Sequence, residues 1–167
     1  FINRLCSPGL EITFVPAGHL LGAAHVLISV TEKGETKKIG FSGDIGRANY
    51  PLHIDPQPFP EVDYLICETT YGNRIHADKD SPMDALGKVI KETCIDRPGR
   101  LIIPAFSVGR TQAVLYTLNR LIEEQNFPAI RVFTDSPMGR SSTRIYSKNL
   151  SYLNPEARAF HKEYDDI

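Results

Sequence analysis

The chain has 167 residues, 41% of them hydrophobic and 23% charged, with 12 Gly and 12 Pro. That length and composition fit an ordinary folded domain and exclude collagen, a coiled coil or a disordered segment. No apolar run approaches the roughly 20 residues of a membrane helix and no export signal opens the chain, so a membrane span is excluded. Net charge is −1 but unevenly spread: residues 1–73 hold 5 Lys/Arg against 8 Asp/Glu, and residues 74–167 hold 14 against 12, a weak sign of a metal-holding first half and an anion-facing second half.

In chain order, E-I-T-F-V-P at 11–16 and A-H-V-L-I-S-V at 24–30 are β-branched, aromatic-bearing runs. The second is followed by a Glu-Lys-Gly-Glu turn and T-K-K-I-G-F at 36–41, which predicts a hairpin. A Pro-rich connection with Pro51, Pro56, Pro58 and Pro60 leads to residues 62–68, V-D-Y-L-I-C-E, apolar at its centre like a strand covered on both faces. After Gly72 the periodicity changes. Ser81-Pro82 opens a helix carrying Met83, Leu86, Val89, Ile90 and Cys94 on one face, stopped by Asp96-Arg97-Pro98-Gly99. A strand at 101–104, a helix at 110–125, a strand at 130–134 and a helix start at Asp135-Ser136-Pro137 complete an alternation that predicts right-handed crossovers and a parallel sheet across residues 62–134.

Ligands of open α/β sheets lie at the carboxyl ends of the strands, where this sequence places its polar and glycine-bearing stretches. They include Pro16-Ala17-Gly18-His19, Ser42-Gly43-Asp44 and Glu68-Thr69-Thr70-Tyr71-Gly72, then Phe106-Ser107-Val108-Gly109-Arg110 and Asp135-Ser136-Pro137. An imidazole and a carboxylate, His19 and Asp44, suit a divalent ion such as zinc. A lone His and a Ser-Gly-Asp turn are more often plain surface features, so residue type alone yields a candidate and not a site. Cys6, Cys67 and Cys94 are odd in number with no C-x-x-C spacing, which argues against a disulfide framework and for a cytoplasmic protein.

The strings P-A-G-H-L-L-G-A-A at 16–24, F-S-G-D-I-G-R at 41–47, E-T-T-Y-G-N-R-I-H at 68–76, I-P-A-F-S-V-G-R-T-Q at 103–112 and D-S-P-M at 135–138 are far more specific together than apart. In this order and spacing they resemble the metallo-β-lactamase-fold nucleases of the β-CASP group. That group includes bacterial and archaeal RNA-processing enzymes and the endonuclease subunit of the eukaryotic messenger-RNA cleavage and polyadenylation machinery. The likeness runs from Leu10 to Met138. It implies an α/β fold: part of a metallo-β-lactamase αββα domain at residues 1–72, then part of a Rossmann-like β-CASP domain at 73–167, divided near Tyr71-Gly72-Asn73.

By this resemblance His19 is a ligand to one zinc ion, Asp44 bridges two zinc ions, and Glu68 is the acidic residue that orients a later histidine. Arg110 and Ser136 are implied substrate contacts, although a solvated Arg at a helix start and a Ser N-cap are equally ordinary. Arg140 and Arg144, one helical turn apart, could meet phosphates but more often mark a solvated face. The implied activity is zinc-dependent hydrolysis of RNA, with RNA as partner, no membrane, and a homodimer as an allowed assembly. The alternative is a non-catalytic RNA-binding scaffold of the same family.

The H-x-H-x-D-H signature that supplies most zinc ligands in the family is absent from this sequence, as are the downstream histidine motifs. Phe1 at the start and Ile167 after an acidic run therefore read as the ends of an internal fragment. Two retained ligands are not expected to fill two zinc shells of about four each. His25 reads as a packed or edge strand residue, His53 lies in the Pro-rich connection, His161 in a charged terminal helix, and His76 at a position that relatives also occupy with histidine. If the motifs keep their roles, His19, Asp44 and Glu68 must converge on one cleft at the strand ends, with Arg110 and Ser136 approaching from the cap side.

Overall fold

The computed structural model describes residues 2–74 and 81–164. They form two compact units: Phe1–Arg74 with Tyr152–Asn154, and Ile75–Ser151 with Pro155–Ile167. The fold is α/β.

The first unit is a five-stranded sheet in the order β1-β2-β3-β4-β5. Strands β1 (Ile2–Ser7), β2 (Leu10–Pro16), β3 (Ala24–Glu32) and β4 (Glu35–Phe41) pair antiparallel in sequence, and β5 (Tyr64–Ile66) joins β4 in parallel. The β3–β4 hairpin turns through Lys33 (φ 52°) and Gly34 (φ 86°), the two positive-φ positions that match a tight turn to strand twist. Val15, Ala17, Leu27 and Leu52 are buried, and Leu153 is buried as well. Asn154 donates its backbone N–H to the Leu52 carbonyl at 2.9 Å.

The second unit is helical. Helix α1 (Pro82–Ile90) starts with Pro in its first turn and runs into a wider π-type turn, Lys91–Ile95. Helix α2 (Arg110–Gln125) ends at Asn126 in the left-handed conformation, which lets the chain leave the helix. Ile90 of α1 and Leu118 and Leu121 of α2 make the core, packed by Met83, Leu86, Cys94, Leu101, Val114, Phe127 and Ile130. Helices α3 (Pro137–Lys148) and α4 (Pro155–Tyr164) follow. The Arg120 guanidinium pairs with Glu124 within α2 (2.8 Å) and ties α2 to α4 through Glu156 (2.7 Å), and Phe160 meets the Tyr116 ring edge-on at 5.4 Å.

Two expectations need correction. Residues 101–104 and 130–134 are neither helix nor strand. Leu101 and Ile130 pack on the helices, whereas Ile102 is 86% and Phe133 87% exposed. Apolar residues on both sides of such a segment call for a helix on one face and a neighbouring strand alongside, and among the described residues no ladder forms there. Residues 62–68 were expected to be a covered central strand. Only Tyr64–Ile66 is strand, at the sheet edge, and Tyr64, Leu65 and Ile66 are exposed, because β5 pairs on one side alone.

Candidate active site

Alternation fixes where the chemistry emerges. In the antiparallel ladder β2 and β4 run the same way, and β5 runs parallel to β4, so the carboxyl ends of all three strands open at one edge. His19 follows β2, Asp44 follows β4 and Glu68 follows β5.

His19 sits in a compact turn closed by Ala17 N–H to the Ala23 carbonyl and Ala23 N–H to the Leu20 carbonyl, both 3.0 Å. The Asp44 loop is sewn to this turn by Gly46 N–H donating to the Ala17 carbonyl at 2.8 Å. The backbones come so close there that a Cβ on Gly46 would lie 2.2 Å from the Gly18 carbonyl carbon and 2.6 Å from the His19 nitrogen, so no side chain fits. His19 Nε2 lies 3.9 Å from Asp44 Oδ2, with both side chains open to solvent.

Glu68 braces this arrangement. Its Oε1 accepts the Ile45 N–H at 2.5 Å, one residue past Asp44, and its Oε2 accepts the Thr70 hydroxyl at 2.7 Å. Its own N–H donates to Ser42 Oγ at 2.9 Å, and the Ser42 N–H donates to the Ile66 carbonyl at 2.9 Å. The Ile45 bond, then the Thr70 hydroxyl, hold the Glu68 carboxyl below its ordinary range, and the nearby His19 acts in the same direction. Glu68 is therefore an ionised clamp on the Asp44 loop.

Other histidines differ. His25 is buried and its Nδ1 pairs with the Ser42 carbonyl oxygen at 2.6 Å, so it supports the β4 end from inside the sheet. His53, buried and stacked on Tyr50 at 5.5 Å, is pulled down to about 4 by burial and by the neighbouring His19, which makes it a neutral packing group. His161 lies in α4, and His76 lies outside the described residues.

Two ligands of one zinc ion, each bonded at about 2.0–2.2 Å, stand roughly 3.3–3.6 Å apart. His19 and Asp44 thus fit one edge of a coordination shell after a small side-chain adjustment, and would make two of its ligands. Among the described residues no group of three or more His, Cys, Asp or Glu side chains gathers to hold a metal; the Glu68 carboxylate spends its oxygens on Ile45 and Thr70.

In the second unit Arg110 is the exposed first residue of α2. Ser136 caps α3, accepting the Gly139 N–H at 2.9 Å, and its hydroxyl lies 3.0 Å from that of Ser107. Arg140 and Arg144 are exposed on α3. Gln112, quoted in the sequence only as part of a string, is the buried centre of this region. Gln112, at the third position of α2, returns its Oε1 to the N–H of the N-cap Gly109, only half of a capping box because glycine has no side chain to complete it, so the usual Ser/Thr signal was missing. Gly46 and Thr70 had no signal either, since close approach and a side-chain brace appear only in three dimensions.

A family model described as the Beta-Casp domain matches residues 111–167. The chain is 30% identical over 150 residues to a ribonuclease of Thermus thermophilus, covering 90% of this chain and 33% of that protein. It is 31% identical over 162 residues to an RNase J-like protein of Methanocaldococcus jannaschii, covering 93% and 36%. It is 37% identical over 158 residues to the transcription termination factor FttA of Methanosarcina mazei, covering 91% and 24%. The chain thus spans about a third or less of the length of these curated relatives.

Proposed function

We propose, for a chain that belongs to the β-CASP family of metallo-β-lactamase-fold RNA nucleases, that the full-length protein hydrolyses RNA phosphodiester bonds in a zinc-dependent reaction. On this reading residues 1–72 are part of the metallo-β-lactamase domain and 73–167 part of the β-CASP domain. The observation that carries it is the approach of His19 Nε2 to within 3.9 Å of Asp44 Oδ2 on the edge where three strands end.

Zinc, when bound, supplies a hydroxide near neutral pH and positive charge against the phosphate. The chain's own residues do the rest. His19 would offer the metal an imidazole nitrogen and Asp44 a carboxylate oxygen. Glu68 keeps Asp44 in place by holding Ile45. Arg110 and Ser136 hold phosphate oxygens through charge and a hydroxyl. Free Cys6, Cys67 and Cys94 suit a reducing cytoplasm.

A second reading is an RNA-binding scaffold of the same family without catalysis, against which His19, Asp44 and Glu68 are all retained at the strand ends. One experiment separates the two. Zinc content and cleavage of a short RNA are measured for the full-length protein and for His19→Ala and Asp44→Ala. The nuclease reading expects each substitution to lower cleavage by on the order of 10²-fold or more and to reduce bound zinc, with RNA binding retained. RNA binding without cleavage in the zinc-loaded parent establishes the scaffold instead.

A further inference from the structure

Gln112 is 3% exposed and every polar atom of its amide is engaged. Its Oε1 accepts the Gly109 N–H at 2.7 Å. Its Nε2 faces the Ser107 carbonyl at 3.1 Å, Thr143 Oγ1 at 3.1 Å and the Gly139 carbonyl at 3.3 Å. One side chain thereby spans the loop before α2 and the first turns of α3. Thr143 Oγ1 also donates to the Gly139 carbonyl at 2.9 Å, so the α3 end of the span is itself pinned.

What it holds is a strained piece of backbone. Gly109 has φ 79° and ψ −66°, and Arg110 N–H donates to the Val108 carbonyl at 3.0 Å. That is the γ-turn of the rare, strained hand, which persists only where its surroundings hold it. The turn sets the direction in which the chain enters α2, and Arg110 is the next residue. On the other side Gly139 is the donor that fixes the Ser136 hydroxyl, and Ser107 pairs with that hydroxyl. Gln112 therefore touches the neighbours of Arg110 and Ser136 without occupying their outer faces.

We propose that Gln112 is a positioning residue for RNA: its amide locks Ser107, Gly109 and Gly139 together so that Arg110 and the Ser136 hydroxyl meet a phosphate in one fixed arrangement. The inference rests on Arg110 and Ser136 being RNA contacts. The chemistry requires an amide. A carboxylate retains the acceptor for Gly109 but cannot donate to carbonyl oxygens, and a thioether of similar length makes neither kind of bond.

The test uses the full-length protein and a short single-stranded RNA, with binding followed by fluorescence anisotropy in chelator so that the readout is separate from cleavage. Gln112→Met is expected to weaken binding about tenfold and to flatten the dependence of log Kd on log salt, because phosphate contacts are lost. In the zinc-loaded protein KM should rise while kcat changes by less than about twofold. Added to Arg110→Ala with Ser136→Ala, Gln112→Met should cause little further loss, since it acts through those groups. If Gln112→Met fails to fold, Thr143→Val, which removes one partner of the amide, is expected to shift Kd in the same direction by a smaller factor. Unchanged Kd and salt slope in the folded variant, with the Arg110→Ala/Ser136→Ala protein still impaired, overturns the role of Gln112 alone. Unchanged binding in the Arg110→Ala/Ser136→Ala protein overturns the contact assignment on which it rests.

Discussion

In the sheet unit, His19 and Asp44 are brought together by backbone: Gly46 N–H to the Ala17 carbonyl, closure of the His19 turn, and strand directions that end on one edge. In the helical unit, Arg110 and Ser136 sit on segments joined by side chains, the Gln112 amide and the Ser107–Ser136 hydroxyl pair. The first arrangement rests mainly on close backbone approach at a place where a side chain must be missing, with the Glu68 carboxylate as a brace. The second depends on particular side chains being present. At these two glycine and glutamine positions the vulnerabilities are opposite: added atoms at Gly46, removed polar ones at Gln112.

The largest expected effect exploits that difference. Gly46→Ala places a Cβ against the Gly18 and His19 backbone, which cannot move aside as a flexible side chain can. It should cost roughly 3 kcal/mol or more of stability and largely remove cleavage. Residue-resolved hydrogen exchange is expected to show faster exchange at residues 17–23 and 42–46, with the α2 amides unaffected. Wild-type exchange and activity in Gly46→Ala would remove the claim that backbone approach places His19 beside Asp44.

Next comes pH. Burial holds the His53 imidazole at about 4, below its ordinary 6.5, so the unfolded chain binds more protons in that interval. Sheet-unit stability should fall as pH drops from about 6.5 towards 4, and His53→Gln should blunt the fall. In the helical unit burial pushes the Tyr116 phenol up to about 12 from 10. Its contribution is complete below pH 10 and is lost as pH rises through about 12; Tyr116→Phe should flatten that alkaline limb. Denaturant unfolding read by exchange in each unit checks both, and identical pH profiles for the two units would break the comparison.

The smallest expected effect is Gly87→Ala in α1. Its Cβ would meet side chains and no backbone, Leu121 at 3.1 Å and Phe127 at 3.8 Å, while Ala gains helix propensity over Gly. The terminal methyl of Leu121 gives way, and stability should change by less than about 1 kcal/mol. A loss above about 2 kcal/mol in urea unfolding would show the helical core to be as rigid as the glycine contact in the sheet unit.

Local rules made much of this molecule readable. Lys33-Gly34 turns the hairpin, Ser81-Pro82 opens α1, and Ser136-Pro137 caps α3, since turns and caps depend on a few adjacent residues. Polar residues at successive strand ends marked His19, Asp44 and Glu68 for the same reason. The segments at 101–104 and 130–134 misled because apolar, β-branched composition reports a demand for burial and cannot report whether a pairing edge lies alongside. His53 looked like a loop residue because its burial comes from the packing of the Pro-rich connection, which has no period to read.

The sequence by itself determined the β3–β4 hairpin, the positions of helices α1 and α2, the turn and cap chemistry, and the family likeness, all of which reside in short strings of neighbouring residues. Only the tertiary structure decided that His19 stands 3.9 Å from Asp44, that Glu68 clamps Ile45, that Gly46 must be glycine and that Gln112 joins two helix starts. Each depends on atoms of residues far apart in the chain meeting within hydrogen-bond or van der Waals distance. Such distances are set by strand register and helix packing together, and no local propensity contains them.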